Sequence, residues 1–177
     1  MRLKKELFMT DLEHSKSRET HRDLTTLAWV VVGILALNVT YFVGEEIGGV
    51  WYTSSGDWLA IFNAWWVGII KAMPTILIAF AVADFAALFQ RCSEGSVLTE
   101  ENVKTLEKAA SSLMAAGIWA GIVSPTLLEW INLNIRGISI DLGDLALAVT
   151  MMGIVLYGLS LVFKDAVAVK AENDEFI

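Results

Sequence analysis

Three charged side chains stand in runs that are otherwise apolar. Lys71 and Asp84 fall inside "NAWWVGIIKAMPTILIAFAVADFAALF" (63–89), and Glu129 lies near the end of a later run. An ammonium or carboxylate near the centre of a bilayer costs about 2.5–3.5 kcal/mol on insertion scales, so it snorkels, finds a partner or lines a polar cavity. Two chemistries fit Lys71. Glu129 is the natural opposite charge for a structural pair. A lysine near Asn38, Tyr41, Asn63 and Ser124 could instead wall a polar ligand site. For Asp84, hydrogen bonds from Ser111, Ser112, Tyr157 and Ser160, or a ligand-sensing or proton role, are the readings available. Asp84 lies thirteen residues after Lys71, which at about 100° per residue sets it roughly 140° around the helix. The two do not form one stripe, and a proton wire along that helix is not expected.

Other chemistries lack their residues. The chain has one cysteine, Cys92, and its two histidines, His14 and His21, both precede the first apolar run. No Gly-rich phosphate loop, metal-ligand cluster or poised carboxylate pair is evident. An enzyme, a cofactor and a bound metal are therefore not expected. A formal charge of −7 argues against direct nucleic-acid binding, which needs a basic stripe.

The elements that must position these charges are membrane-spanning helices. The 177 residues are 55% hydrophobic, with a mean hydropathy of +0.57. The apolar residues fall in four blocks, each near the ~20 residues a helix needs to cross a bilayer. They predict spans at about 24–44, 61–89, 106–131 and 142–163, between an N-terminal tail (1–23) and a C-terminal tail (164–177). The expected fold is an all-α bundle of four transmembrane helices. Lysine and arginine concentrate in the tails and the middle loop, whereas the other two loops hold only Arg136. That asymmetry predicts cytoplasmic termini. Trp51, Trp58, Trp65, Trp66 and Trp130 map to the opposite boundary, where an aromatic belt is the simplest account. Pro74 is a candidate kink.

Spacing also suggests how spans meet. Gly117, Gly121, Pro125 and Glu129 recur at i, i+4, and Gly117-x-x-x-Gly121 allows close approach. Gly68, Lys71 and Thr75 share a face on the second span. Together they predict that spans two and three pack there, with Lys71 touching Glu129. Ala79, Ala83 and Ala87 form a second small-residue stripe, read as internal packing or as a homodimer contact.

The middle loop, "RCSEGSVLTEENVKTLEKAA" (91–110), is strongly punctuated. Gly95 suits a left-handed helix end, Thr99 suits an N-cap, and Glu100 and Glu101 suit the first turn. Val103, Leu106 and Ala110 then share a face. This loop, through Gly95, Thr99, Asn102, Val103 and Leu106, and the terminal Glu172, Asn173 and Asp174, resembles a family of small bacterial four-span membrane proteins. That family is the domain-of-unknown-function (DUF) 2975 family. The chain ends Asp174-Glu175-Phe176-Ile177, a modest departure from the family's ending. The resemblance implies a four-span fold in the bacterial inner membrane. It also implies a short helix-turn-helix regulator as soluble partner, and it supplies no catalytic residues.

The expected function is that of a sensor or regulatory membrane protein in contact with lipid, whose Glu172, Asp174 and Glu175 could meet a basic partner surface. A small oligomeric transporter, channel or permeabilising protein is the alternative, and an accessory subunit of a larger membrane complex the third.

Overall fold

The computed structural model of the chain describes residues 2–53, 57–95, 97–133 and 137–174, with side chains for all of these but 2–18, 132–133 and 174. Five α-helices follow one another: α1 (Arg2–Thr53), α2 (Trp58–Ser93), α3 (Glu100–Ile118), α4 (Ser124–Leu133) and α5 (Asp144–Asp174). A π-helical turn, Trp119–Val123, joins α3 to α4. Four segments are long and apolar enough to cross a membrane: Glu19–Thr53, Trp58–Ser93, Glu100–Ile131 and Asp144–Asn173. The protein is all-α and multi-pass.

The helices outrun the apolar blocks. α1 continues through Gly44, Gly48 and Gly49, where the first block ends, and stops at Thr53, whose hydroxyl donates to the Gly49 carbonyl at 2.9 Å. α2 begins at an Asp57 cap, whose carboxylate accepts from the Leu59 amide at 3.0 Å. Hydropathy ends where the bilayer ends. A backbone ladder ends only where a cap or breaker stops it.

α1 packs on α2, α2 on α3, and α3 on α5. Among the described residues, no Cα of α1 comes within 8 Å of α3 or α5, and none of α2 within 8 Å of α5. The four spans thus form an open row with α1 and α5 at its edges. Each junction uses small residues. A Cβ placed on Gly68 would lie 3.2 Å from the Val43 Cα, at the α1–α2 contact. Ala81, Ala109 and Leu113 are buried between α2 and α3, flanked by Ile78 and Phe85. A Cβ on Gly117 would come within 2.8 Å of the Ala146 carbonyl oxygen, and one on Gly153 within 2.9 Å of that of Ala110. The Gly117–Gly121 stripe therefore faces α5, and Gly68 with Lys71 faces α1. The expected meeting of these two stripes does not occur. Helical spacing identifies a face, but two close-packing faces on neighbouring helices need not be each other's partners. Fully buried small residues on α2 are Ala72, Ala81 and Ala86, whereas Ala79, Ala83 and Ala87 are half-buried.

The two prolines tie the row together. Pro74 has no N–H to give the carbonyl four residues back, that of Ile70. The Trp119 indole Nε1–H reaches that oxygen from the neighbouring span at 3.1 Å. Pro125 frees the Gly121 carbonyl in the same way, and the Asp141 amide donates to it at 2.7 Å. The ladder shifts to π geometry at this point, with the Ser124 amide bonding the Trp119 carbonyl.

Cross-helix contacts set the charges level with one another. Glu46 pairs with Lys71, and Asp141 bonds Gly121, at the end carrying the α1–α2 and α4–α5 loops. Arg91 pairs with Glu101 at the end carrying both tails. From Asp23 to Glu45, Lys71 to Arg91, Glu101 to Gly121 and Asp144 to Lys164 is about 20 residues each, or ~30 Å of helix, one hydrocarbon thickness. A hydrocarbon slab of that thickness laid between these charge levels has Lys71 at its loop-end edge, not at its centre. Asp84 remains inside, about 10 Å in from Arg91 at 1.5 Å per residue.

Candidate functional site

At the loop end, the Lys71 ammonium contacts the Glu46 carboxylate at 2.5 Å, with the two side chains 41% and 30% exposed. The expected Lys71–Glu129 contact is therefore replaced. Lys71 leans toward the start of its own helix, as side chains on a helix do. Gly68, one turn before it, lets α1 close enough for Glu46 to meet it. Glu129 is engaged elsewhere, accepting from the Ser139 hydroxyl at 2.7 Å. Thr126 bonds Ser139 through both backbone groups, at 2.9 and 3.0 Å, and Trp130 donates to the Gly137 carbonyl at 2.7 Å. These contacts fasten the 137–143 connection over α4. Asn38 and Asn63 are exposed on α1 and α2, about 20 Å apart in level by their residue offsets from the Glu46–Lys71 contact. Ser124 is buried at the start of α4. The structure does not gather Asn38, Asn63 and Ser124 around Lys71.

At the tail end, the α2–α3 turn is cross-braced. Gly95 has φ of +93°, a conformation that glycine adopts without penalty, and its amide bonds the Cys92 carbonyl at 3.1 Å. Thr99 caps α3 through the Asn102 amide at 3.3 Å. The buried Asn102 carboxamide donates to the Val97 carbonyl at 3.1 Å. Arg91 reaches across to Glu101 at 2.8 Å and to the Thr105 hydroxyl at 2.7 Å. Val97 remains 56% exposed on this fixed turn, and Leu98 36%.

Between α2 and α3 an open surface groove of about 730 Å³ runs inward from this end, past Arg91, Lys104 and Glu107 to Asp84, Lys108, Ser111 and Ser112. The α2–α3 contacts put Asp84 and Lys108 at one depth. Lys108, then Arg91, are the cations whose fields reach Asp84. Arg91 is held by Glu101, and Lys104 by Glu100 at 2.8 Å. Among the described residues, Asp84 and Lys108 have no ion pair within 4.0 Å and no side-chain hydrogen bond. Tyr157 and Ser160, expected near Asp84, are on α5; Ser160 is buried and donates to the Tyr157 carbonyl at 2.7 Å. The cleft instead holds Ser111 and Ser112.

α5 carries the chain from Lys164 on to Asp174, with Glu172 exposed. Asp174 closes the helix, its side chain outside the described residues, and Glu175 lies outside them altogether.

The family described as "Protein of unknown function (DUF2975)" matches residues 15–177. The chain belongs to that family. Neither a curated protein nor a solved structure matches it. For this DUF2975 chain, the motif residues Gly95, Thr99 and Asn102 have a physical task, which is to hold the α2–α3 turn in one shape. Three residues of its charge and hydrogen-bond network escape a reading by spacing: Glu46, Lys108 and Trp119. Each had a signal. Glu46 is about 25 residues before Lys71 across a hairpin, Lys108 falls level with Asp84 once Arg91 is set against Glu101, and Pro74 announces a carbonyl that needs a donor.

Proposed function

We propose that this DUF2975 chain is a regulatory membrane protein whose tail end holds a small soluble regulator. The observation that carries the reading is the turn itself. Five polar side chains fix the six-residue connection 94–99, yet its two apolar residues, Val97 and Leu98, stay exposed. A turn needed only to reverse the chain gains helix stability from such bracing but nothing from two exposed apolar side chains. A recognition surface does gain, because a preformed shape lowers the ordering cost of binding. Val97 and Leu98 also line, with Leu88, Cys92, Phe163 and Val167, an apolar cavity of about 80 Å³. Past it, α5 runs on toward Glu172, Asp174 and Glu175, an acidic end suited to a basic partner. A helix-turn-helix regulator has such a basic surface, and it would supply the nucleic-acid contact that a chain of net charge −7 is unfit to make. The lysine and arginine distribution supports placing this end in the bacterial cytoplasm.

A transport path draws less support, since Lys71 and Asp84 belong to different helix contacts in different halves of the membrane. The test is affinity capture from native membranes using three baits: the intact chain, the chain cut after Ala171, and a Val97→Asp, Leu98→Asp variant. A small DNA-binding protein retained by the first and lost from the other two is expected. Recovery of only lipid and the bait, or of a large membrane complex with all three, overturns the proposal.

A further inference from the structure

The Asp84 cleft has a property independent of the partner reading. Its mouth is charge-balanced internally, through Arg91 with Glu101 and Lys104 with Glu100. Its inner half is not. There Asp84 on α2 lies across from Lys108 on α3, at the same depth and without a contact between them, and Glu107 stands beside Lys108 on the α3 wall. Ser112 adds a hydroxyl and Phe80 an apolar wall. Because the row is open, neither α1 nor α5 covers this face of α2 and α3, and Lys108 and Ser111 are exposed on it. What meets these charges comes from the bilayer, and charges held at this depth draw headgroups and water inward by thinning the membrane locally.

We propose that this cleft binds the headgroup of an ethanolamine phospholipid from the tail-side leaflet. The separated pair calls for a ligand carrying one anion and one cation side by side. The phosphate meets the Lys108 ammonium and the Ser112 hydroxyl, and the primary ammonium meets the Asp84 carboxylate, each a charge-assisted hydrogen bond. The acyl chains lie along Phe80. A glycerol headgroup offers Asp84 hydroxyls but no cation. A choline headgroup brings a cation with no N–H to donate. The pair, not the net charge, is what selects.

The test is native mass spectrometry of the protein released from nanodiscs containing equal amounts of ethanolamine, glycerol and choline phospholipids. The wild type is expected to retain one ethanolamine lipid about tenfold over either competitor, the ratio set by one charge-assisted hydrogen bond. Asp84→Asn, nearly isosteric, is expected to erase the preference over the glycerol lipid. Lys108→Gln is expected to weaken retention of all three phospholipids alike. Lys71→Gln, at the other end, serves as the control for a general effect on the fold and should leave retention unchanged. Equal retention of the three lipids by the wild type, or undiminished selectivity in Asp84→Asn, overturns the proposal. Soluble glycerophosphoethanolamine is added in a separate arm. Failure to displace the lipid supports the bilayer source, and Asp84-dependent displacement reassigns the site to the free headgroup and overturns the lipid assignment.

Discussion

Two lysines face carboxylates across neighbouring spans, and the two cases end differently. Lys71 closes onto Glu46 at the loop-end boundary, where Gly68 brings α1 near and both side chains keep partial contact with the surroundings. Lys108 faces Asp84 about 10 Å inside the opposite boundary and does not close. Buried length and spacing differ less than the local packing does. At the first site a glycine removes the bulk between two helices. At the second, Ala81, Ala109 and Leu113 meet on the adjacent face, and the charged groove lies open beside them. A closed pair fastens two helices. An open pair at membrane depth is left for something else to complete.

The largest effect that would break this comparison is charge reversal at the closed pair. Lys71→Glu sets two carboxylates against each other where α1 and α2 touch. A fully buried pair broken in this way loses about 3–5 kcal/mol, and the 41% and 30% exposure of these side chains lowers the expectation to roughly 2 kcal/mol. The swap Lys71→Glu with Glu46→Lys should recover most of it in an unfolding titration in mixed micelles. Rescue by Glu129→Lys instead would return Lys71 to a span-three partner and remove the contrast.

Next in size is the proline carbonyl. Trp119→Phe keeps an aromatic side chain, though a smaller one, and removes the donor to Ile70, leaving a buried acceptor unmet at a cost of about 1–3 kcal/mol. Pro74→Ala restores the amide that would bond Ile70 within α2. The double variant should therefore be more stable than Trp119→Phe alone. Additive losses in the two single variants would mean that the indole packs without serving that oxygen.

Much of this frame was readable before any coordinates. Gly95 with its positive φ, the Thr99 cap and the acidic first turn of α3 follow from local backbone chemistry, which a short stretch contains in full. So do the four spans, because bilayer thickness is an external ruler. Pairings were not readable in the same way. Taking the first span to end at Gly44 put Glu46 in a loop, although glycine only weakens a helix by about 1 kcal/mol and does not stop it. Glu129, near the outer end of the third span, was then the natural opposite charge for Lys71. Likewise Pro74 identifies the orphaned carbonyl but not the donor, since Trp119 is distant in sequence and depends on the angle between α2 and α3. The open row was hidden for a related reason. An apolar helix face reads the same whether a neighbour or lipid covers it.

A smaller effect tests whether the braced turn belongs with the closed site or the open one. Thr99→Ala removes the cap on α3 and should cost about 1 kcal/mol. If the turn is a recognition surface, capture of the soluble partner should fall more steeply than stability does, with Thr99→Ser restoring both. Parallel losses would make the turn only a fastening, like Lys71–Glu46.

The smallest expected stability effect comes from the residue with the most exposed question. Asp84→Asn removes a charge that no described group pairs with, at a depth where an ionised carboxylate is costly and an amide is less so. Its unfolding free energy in mixed micelles should therefore change by no more than about 0.5 kcal/mol, and in the stabilising direction if in either. The same substitution in Glu46, whose charge is answered by Lys71, should destabilise. Opposite signs for two carboxylate-to-amide changes in one protein would separate a carboxylate that holds helices together from one that is kept, at some cost to the fold, for a ligand. A matching loss at Asp84 would mean that Lys108 already completes it in the membrane, and the distinction between the two lysines would close.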